Sequence, residues 1–322
     1  MKTELKFAII TALAGKTRDR FAEYQSDRTL EAKIELISQI KGVKGVEIIF
    51  PDETPDPIRL GELLKSCHLG IAAINCNLKG DPSFKLGAIS SPDAKVRRKA
   101  IALLKSAKSY ALAAGADKVH CAPLNDGYDY LFQINYQVAW CNIQDSLREV
   151  CEYLPEIKLV IEYKESEPRV RCLVSNSYCM LTLCEQIGRE NLGATIDIGH
   201  SLYGGENPSE ALCNFARSKF PYYIHLNDNN RKFDWDLMVG SWNTSNFLEF
   251  LFWLNQFKYG DFLTFDVFPG RMDVARTFQS CVDLSTRFFN IIEKLDDTLM
   301  LRLMQEENFF ELREYLDKNI YR

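Results

Sequence analysis

The sequence predicts an α/β fold, a (β/α)8 TIM barrel with a C-terminal helical extension. Two observations lead to this prediction. Eight short β-type runs recur along the chain, and each is followed by a turn signal and a longer amphipathic segment. Strands that alternate with helices pair in parallel through right-handed crossovers, and eight such units close into a barrel. A doubly wound open sheet of the same units is the alternative, but no GxGxxG or GxxxxGKS/T motif follows any predicted strand.

The predicted strands are the short β-type runs, in chain order Phe7–Leu13, Val46–Phe50, Ile71–Asn77, Val119–Leu124, Leu159–Lys164, Ala194–Ile198, Tyr222–Asn227 and Phe262–Phe268. The helical pattern is plainest before Lys118, where alanine and leucine recur at three- and four-residue spacing, the period of a helix packed against a sheet. The predicted helices are Thr29–Ile40, Ile58–Cys67, Lys95–Ala114, Tyr136–Leu154, Leu173–Ile187, Ser209–Ala216, Thr244–Phe257 and Val274–Leu295.

The last part of the chain continues the helical pattern beyond the eighth unit. Its apolar positions are Leu301, Leu303, Met304, Phe309, Phe310, Leu312 and Leu316. We therefore expect a barrel domain over residues 1–295 and a helical extension over residues 296–322 that packs on the barrel wall or on a second subunit. No low-complexity linker indicates a further domain boundary.

The composition excludes several classes of protein. The 322 residues are 46% apolar and 12% aromatic, enough to offset the entropy of folding, so the chain is not disordered. A net charge of −5 argues against a protein that binds nucleic acid mainly through charge. No apolar stretch reaches the roughly 20 residues that span a bilayer, and no secretory signal is evident. The ten cysteines form no CxxC pair, so we expect reduced thiols in a cytoplasmic protein.

Ionisable residues end the last four predicted strands, where a TIM barrel carries its working residues. They are Glu162, Asp197, His225 and Asp266. Side chains alternate across a strand, so the apolar neighbours of each residue direct it toward the lumen. Four unpaired buried ionisable groups would cost several kcal/mol each, and a divalent cation among them removes that cost. Oxygen-rich donors with one imidazole suit Mn²⁺, Mg²⁺ or Co²⁺. The alternative is that each is a satisfied polar residue of the core.

A second group of candidate ligands follows the sixth and seventh strands. His200 lies three residues beyond Asp197, and Asp234 and Asp236 lie in the loop after the seventh strand. If that loop folds back, these three residues could hold a second cation; otherwise the Asp pair is only solvated. His120 on the fourth strand is open between a lumen position and a core position, and His68 lies at the wrong end of the barrel.

Five segments resemble the motifs of L-rhamnose isomerase and related sugar isomerases, in the same order along roughly half the chain. Glu162–Arg169 is similar to the EYKxxEP motif, Asp197–His200 to DxGH, His225–Asp228 to HxND, and Asp234–Ser241 to DxDLxVGS. Asp126–Gln133 resembles the DGxxYPxQ turn after the fourth strand. The remainder is similar only to xylose isomerase-like TIM barrels in general.

The resemblance implies a structural or anchoring metal held by Glu162, Asp197, His225 and Asp266, and a catalytic metal held by His200, Asp234 and Asp236. It implies that Lys164 contacts a substrate oxygen. Two departures are that the chain is short for this family and that one residue is inserted between His225 and the Asp pair. The D-tagatose 3-epimerase family is also similar, with an arginine that corresponds here to Arg231. Its fourth ligand is a catalytic glutamate, which is replaced here by the shorter Asp266.

The predicted function is a divalent-metal-dependent sugar isomerase that interconverts an aldose and a ketose by a metal-assisted hydride shift, with one or two ions of Mn²⁺, Mg²⁺ or Co²⁺. The predicted catalytic residues are Glu162, Lys164, His200 and Asp266. The predicted substrate-binding residues are Lys164, His200, Arg231 and Trp235.

Other functions stay open at this point. A ketose 3-epimerase would abstract a proton and pass through an enediolate, with Glu162 and Asp266 as the acid/base pair. A related lyase would cleave a C-glycoside of a 3-keto sugar beside a small β-sandwich partner. An endonuclease needs more histidines and a basic groove, and a non-catalytic sugar-binding barrel would not need both ligand sets. The resemblance implies a homo-oligomer and does not exclude a second kind of subunit.

Overall fold

Eight parallel strands close into one barrel in a computed structural model, which describes residues 4–167 and 169–320. Each strand pairs with the next in chain order, and β8 pairs with β1. The strands are β1 Lys6–Ile10, β2 Val43–Phe50, β3 Gly70–Cys76, β4 Lys118–Cys121, β5 Lys158–Glu162, β6 Leu192–Asp197, β7 Tyr222–Leu226 and β8 Phe262–Phe265. The predicted fold class and all eight predicted strands are confirmed.

Helices surround the barrel and follow its strands. They are α1 Leu30–Ser38, α2 Pro57–Ser66, α3 Ala94–Ala114, α4 Tyr136–Glu152, α5 Ser177–Ile187, α6 Ile198–Tyr203, α7 Pro208–Ala216, α8 Thr244–Gln256, α9 Val274–Ile292, α10 Asp297–Gln305 and α11 Phe309–Asn319. The eight predicted helices are confirmed, although α5 begins four residues later than predicted, where Asn176 caps it by accepting from the Cys179 amide at 2.8 Å. The short helix α6 was not predicted.

Two apolar layers fill the structure. The larger lies between the strands and the helices, as the alternation along each strand requires. The smaller lies inside the lumen and consists of Ala8, Ala72, Ala73, Val160 and Tyr223. Four of its five residues are small or β-branched. The lumen above them therefore has room for polar side chains.

Lys118 supports the N-terminal end of the barrel. Its side chain is 3% exposed, and its Nζ donates to the carbonyl of Ala72 at 3.0 Å. The same ammonium pairs with Asp117 at 2.7 Å and Asp261 at 3.0 Å, and lies 5.3 Å from the centre of the Tyr223 ring. One cation thus ties β3, β4 and the entry to β8 together.

The C-terminal helices pack against the main core. Met300 of α10 is buried in it, and Met304, Leu312 and Leu316 pack against it. Asn308 caps α11, so the predicted helical tail is broken into two helices. The division into a barrel over residues 1–295 and an extension over residues 296–322 stays a prediction. Among the described residues, no helix is both long and apolar enough to cross a membrane. All ten cysteines are free thiols, and six of them are buried.

Asp126 of the predicted turn motif organises loops at the C-terminal rim. Its Oδ1 accepts from the amides of Ala88 at 2.9 Å and Ser90 at 2.6 Å, and its carbonyl accepts from the Leu173 amide at 2.9 Å. Oδ2 is buried without a hydrogen-bond partner. Burial raises the pKa of Asp126 from 3.8 to about 6, although the hydrogen bonds from Ser90 and Ala88 oppose this.

Replacing Asp126 should change how stability depends on pH. A carboxyl with a raised folded-state pKa binds more protons in the folded than in the unfolded chain, so its contribution falls as the pH rises from about 4 to about 6. Asp126→Asn keeps the oxygen acceptor but cannot ionise. Relative to wild type, it should gain on the order of 2 kcal/mol between pH 4 and pH 7, measured by urea unfolding. Parallel pH profiles of the two proteins would contradict this.

Removing the ammonium of Lys118 should destabilise the barrel. Lys118→Met keeps the aliphatic stem but removes the buried donor to the Ala72 carbonyl and to Asp261, and should lower the free energy of unfolding by about 2–4 kcal/mol. The matched control is Lys158→Met, because Lys158 also pairs with Asp117, at 2.8 Å, but is 41% exposed. The control should change stability by less than about 1 kcal/mol. Equal losses in urea unfolding would show that burial of Lys118 does not matter.

Candidate metal centre and active site

The structure brings together the four ionisable residues that end β5 to β8. Glu162, Asp197, His225 and Asp266 each offer one donor atom, and these atoms all lie within 4.8 Å of one another. We call this group the four-residue cluster. Its first three members are buried, whereas the Asp266 side chain is 23% exposed. The cluster is therefore enclosed and reachable on one side.

The His225 ring shows why the cluster suits a cation. Its Nδ1 lies 3.0 Å from Glu162 Oε1, 3.5 Å from Asp266 Oδ2 and 4.0 Å from Asp197 Oδ2. Its Nε2 lies 3.1 Å from Oε2 of Glu47, and a carboxylate can only accept. In the neutral ring the proton on Nε2 leaves a lone pair on Nδ1 facing carboxylate oxygens. A divalent cation satisfies that arrangement of acceptors, and three carboxylates with one imidazole fit Mn²⁺, Mg²⁺ or Co²⁺.

Glu47 and His120 extend the site deeper into the lumen, and the sequence analysis missed Glu47. Glu47 is fully buried on β2, and its oxygens lie 3.1 Å from His120 Nδ1 and 3.1 Å from His225 Nε2. His120 Nε2 lies 3.2 Å from Glu162 Oε2. His120 is thus a lumen residue. The signal for Glu47 was a single carboxylate between Val46 and Ile48 of an apolar strand, the pattern used for Glu162.

The end of β6 is built by a short-range capping interaction. Asp197 Oδ1 accepts from the His200 amide at 2.8 Å, so the carboxylate caps α6 while it faces the lumen. Gly199, in the first turn of α6, contacts Asn227, whose Oδ1 accepts from the Gly199 amide at 2.7 Å. A Cβ on Gly199 would lie 2.4 Å from that oxygen, so only glycine fits. Asn227 Nδ2 also donates to Asp197 Oδ2 at 2.9 Å.

The loop after β7 folds back over the lumen, as the second predicted site requires. The backbones of Asp228 and Leu237 exchange two hydrogen bonds, at 3.0 and 2.8 Å. The Asp228 carboxylate accepts from the amides of Trp242 at 2.7 Å and Asn243 at 3.0 Å. These bonds return Asp234 and Asp236 to the barrel mouth.

His200, Lys164 and Asp234 meet beside the four-residue cluster. Asp234 Oδ2 lies 3.1 Å from His200 Nε2 and 2.7 Å from Lys164 Nζ. His200 Nδ1 donates to the carbonyl of Tyr163 at 3.1 Å and lies 3.6 Å from Glu162 Oε1. Lys164 also donates to Glu167 at 2.7 Å. Asp234 Oδ1 is buried and has no hydrogen-bond partner.

The second predicted cation site is only partly assembled. His200 and Asp234 are in contact, whereas Asp236 is linked to Asn227 by a weak hydrogen bond of 3.4 Å. Across the described residues, two groups have donor atoms within 4.8 Å of one another: the four-residue cluster, and Glu47 with His120 and His225. The trio of His200, Asp234 and Asp236 is not among them, and the Lys164 ammonium is already paired with Asp234.

The site carries more negative than positive charge. Burial raises the pKa of Asp197 to about 7; His200 opposes this, and Glu162, Asp234 and Asp266 add to it. Burial together with Asp234, Asp266 and Asp197 raises the pKa of Asp236 well above its usual range. These carboxyl groups resist ionisation because they lie close together out of water. A bound cation would remove that repulsion.

The remaining predicted residues lie at the rim. Trp235 is 47% exposed and stacks on Phe233 with ring centres 6.0 Å apart. The Arg231 guanidinium donates to Oδ1 of Asn243 at 2.8 Å and of Asn246 at 2.9 Å, which uses two of its five N–H donors. Both residues stay predictions as substrate ligands. Pro168 of the EYKxxEP segment lies outside the described residues.

The sequence matches a known family over most of its length. A family model described as the xylose isomerase-like TIM barrel matches residues 34–281. The xylose isomerase of Thermus thermophilus is 29% identical in an alignment of 211 positions that covers 61% of this chain and 54% of the relative. The chain thus spans about half the length of that relative.

Solved structures share the fold at lower sequence identity. A D-tagatose 3-epimerase-like protein superposes with a TM-score of 0.71 at 21% identity, covering 90% of this chain and 99% of its own. An L-ribulose 3-epimerase gives 0.71 at 17% identity, covering 90% and 96%. A xylose isomerase domain protein from Alicyclobacillus acidocaldarius gives 0.68 at 16% identity, covering 90% and 99%. At these identities the likeness shows the fold alone.

Divalent cations should stabilise the protein through the four-residue cluster. After chelator treatment, Mn²⁺, Mg²⁺ or Co²⁺ at about 100 times its Kd should raise the melting temperature by about 3–6 °C, because it binds only the folded chain. His225→Gln and Asp266→Asn should abolish this rise. Arg231→Ala should retain it, because Arg231 bonds to Asn243 and Asn246 instead. A full rise in His225→Gln would place the cation elsewhere.

Proposed function

Because the chain belongs to the xylose isomerase-like TIM barrel family, we propose that it is a divalent-metal-dependent sugar isomerase that interconverts an aldose and a ketose by a hydride shift. The substrate is a small-molecule sugar, and the cofactor is one or two ions of Mn²⁺, Mg²⁺ or Co²⁺. The homo-oligomeric state and the cytoplasmic location stay predictions.

One observation carries the proposal. His200 Nε2 and Lys164 Nζ converge on Asp234 Oδ2, at 3.1 and 2.7 Å, immediately beside the four-residue cluster. An aldose–ketose isomerase has to hold two adjacent sugar oxygens at once, and this pairing provides a second polar centre next to the first. A single-centre site would not need a buried lysine and histidine on the same carboxylate.

Glu162 is poorly placed to act as the proton-abstracting base of an epimerase. Its Oε1 faces His225 Nδ1 at 3.0 Å and its Oε2 faces His120 Nε2 at 3.2 Å, and its side chain is 4% exposed. Burial alone would raise the pKa of Glu162, but His200, His225 and His120 hold it well below its usual range. Such a carboxylate is a weak base, which favours the isomerase over an epimerase that needs Glu162 to abstract a proton.

The chain's own residues would bind and orient the open-chain sugar. An ammonium has three donors, and Lys164 uses two of them for Glu167 and Asp234, so one is available for a substrate oxygen. Burial alone would lower the pKa of Lys164, but Asp234 and Glu167 raise it, so the ammonium stays charged. The hydrogen bond to the Tyr163 carbonyl fixes the ring of His200. A divalent cation in the four-residue cluster would polarise the oxygens on C1 and C2 as a Lewis acid.

The reaction can be identified by incubating chelator-treated protein with a panel of aldoses and ketoses in D₂O, with and without Mn²⁺. We expect cation-dependent interconversion without deuterium at the transferred carbon, because a hydride shift does not exchange with solvent. NMR and mass spectrometry of the product measure this. Deuterium at C3 of a ketose would overturn the proposal in favour of the 3-epimerase. Turnover of none of the free sugars by cation-loaded protein would overturn both.

Lys164→Met should lower kcat by about 100- to 1000-fold while the protein stays folded, because a positioned donor to a reacting oxygen is lost. The matched control is Lys158→Met at the start of β5, the strand that ends two residues before Lys164. The Lys158 side chain is 41% exposed, so this variant should leave kcat unchanged. Wild-type kcat in Lys164→Met would remove Lys164 from the mechanism.

A further inference from the structure

Glu47 is the most heavily hydrogen-bonded carboxylate of the lumen, and the proposed function assigns it no role. It is fully buried on β2. Its Oε1 accepts from Asn75 Nδ2 at 2.7 Å and lies 3.1 Å from His120 Nδ1. Its Oε2 accepts from the Tyr223 hydroxyl at 2.8 Å and lies 3.1 Å from His225 Nε2. Each oxygen therefore has two partners.

These contacts determine which nitrogen of His225 carries a hydrogen. An ionised carboxylate has no donor, so the His225 nitrogen that faces it must donate. With a cation in the four-residue cluster, the single hydrogen would lie on Nε2 and the lone pair of Nδ1 would face the cation. Without a cation, the Glu162 carboxylate that faces Nδ1 would hold a second hydrogen there. Nδ1 is the nitrogen that faces Glu162 at 3.0 Å and Asp266 at 3.5 Å.

The surrounding rings hold His225 in this orientation. The His120 ring lies 4.7 Å from the His225 ring, centre to centre, and the Tyr223 ring lies 5.2 Å from it, both in an edge-on arrangement. The same Glu47 carboxylate bonds to both neighbours. Glu47 thus links the three rings into one unit.

We propose that Glu47 is a positioning residue that keeps His225 in the Nε2–H form and directs Nδ1 into the four-residue cluster as a ligand for a divalent cation. This inference rests on the cation site of the proposed function, but not on the identity of the reaction. Glu47 itself does not touch the cation or the substrate. Metal-binding histidines commonly donate their other N–H to a carboxylate in this way, and loss of that carboxylate weakens metal binding about 10- to 100-fold.

Glu47→Gln is the most informative variant, because it keeps the shape but replaces one acceptor by a donor. Where the new NH₂ faces His225, Nε2 must accept, and the hydrogen moves to Nδ1 and blocks the lone pair. We expect Mn²⁺ affinity, measured by competition with a chromophoric chelator, to fall about 10- to 100-fold. The matched control is Tyr223→Phe, which removes one donor to Glu47 but keeps the carboxylate on His225 and should stay within about 3-fold of wild type.

The tautomer can be observed directly. The chain has four histidines, so ¹⁵N-histidine labelling gives a small set of signals. In wild type loaded with diamagnetic Mg²⁺, His225 should show a protonated Nε2 and an unprotonated Nδ1, and Glu47→Gln should shift it toward the Nδ1–H form. If Glu47→Gln does not fold, Glu47→Asp, which keeps an acceptor-only group, should retain the Nε2–H form.

Three results would overturn the inference. The first is an Nδ1–H tautomer of His225 in cation-loaded wild type. The second is an unchanged cation affinity and an unchanged tautomer in folded Glu47→Gln. The third is that Glu47→Gln loses one of two bound cations while it binds the other as tightly as wild type, which would make Glu47 a ligand. Sugar turnover is not part of this test. Weakened cation binding in Glu47→Gln together with no isomerase activity in wild type would therefore refute the proposed function and leave this inference intact.

Discussion

The barrel lumen holds more carboxyl groups than its own positive side chains can neutralise, and the polar part of the structure is organised around that constraint. Six carboxyl groups lie there with three imidazoles and one ammonium: Glu47, Glu162, Asp197, Asp234, Asp236 and Asp266, with His120, His200, His225 and Lys164. Unpaired charge out of water costs several kcal/mol, so each carboxylate needs a donor, a proton or a cation. The candidate metal ligands at the ends of β5 to β8 concentrate the unneutralised negative charge in one place, where a divalent cation fits.

The scaffold positions these groups with short-range hydrogen bonds. Asp197 caps α6, Asn227 joins the ends of β6 and β7, and Asp228 fastens the loop that carries Asp234. Three of these contacts satisfy backbone N–H groups, of Gly199 and His200 in α6 and of Trp242 in the loop after β7, so the loops and the site stabilise each other. Within the four-residue cluster, Glu162, Asp197 and His225 are buried, and Asp266 is partly exposed.

The site divides into two chemically different halves. On one side, the imidazole and the carboxylates of the four-residue cluster surround the point where a cation fits, and Glu47 contacts the His225 ring from deeper in the lumen. On the other side, the Lys164 ammonium and the His200 ring both contact the Asp234 carboxylate in the loop after β7. In the proposed function, a sugar with adjacent oxygens would contact both halves.

The sequence by itself determined the barrel, because eight alternating units leave few other ways to bury their apolar faces. It also determined the four-residue cluster, because the alternation of side chains along the strands directs Glu162, Asp197, His225 and Asp266 into the lumen. Tertiary structure decided the rest. Glu47 comes from a strand far away in the chain, and only barrel closure brings it against His225. The pairing of Lys164 with Asp234 likewise depends on how far the loop after β7 folds back, which local sequence does not encode because long-range packing sets it.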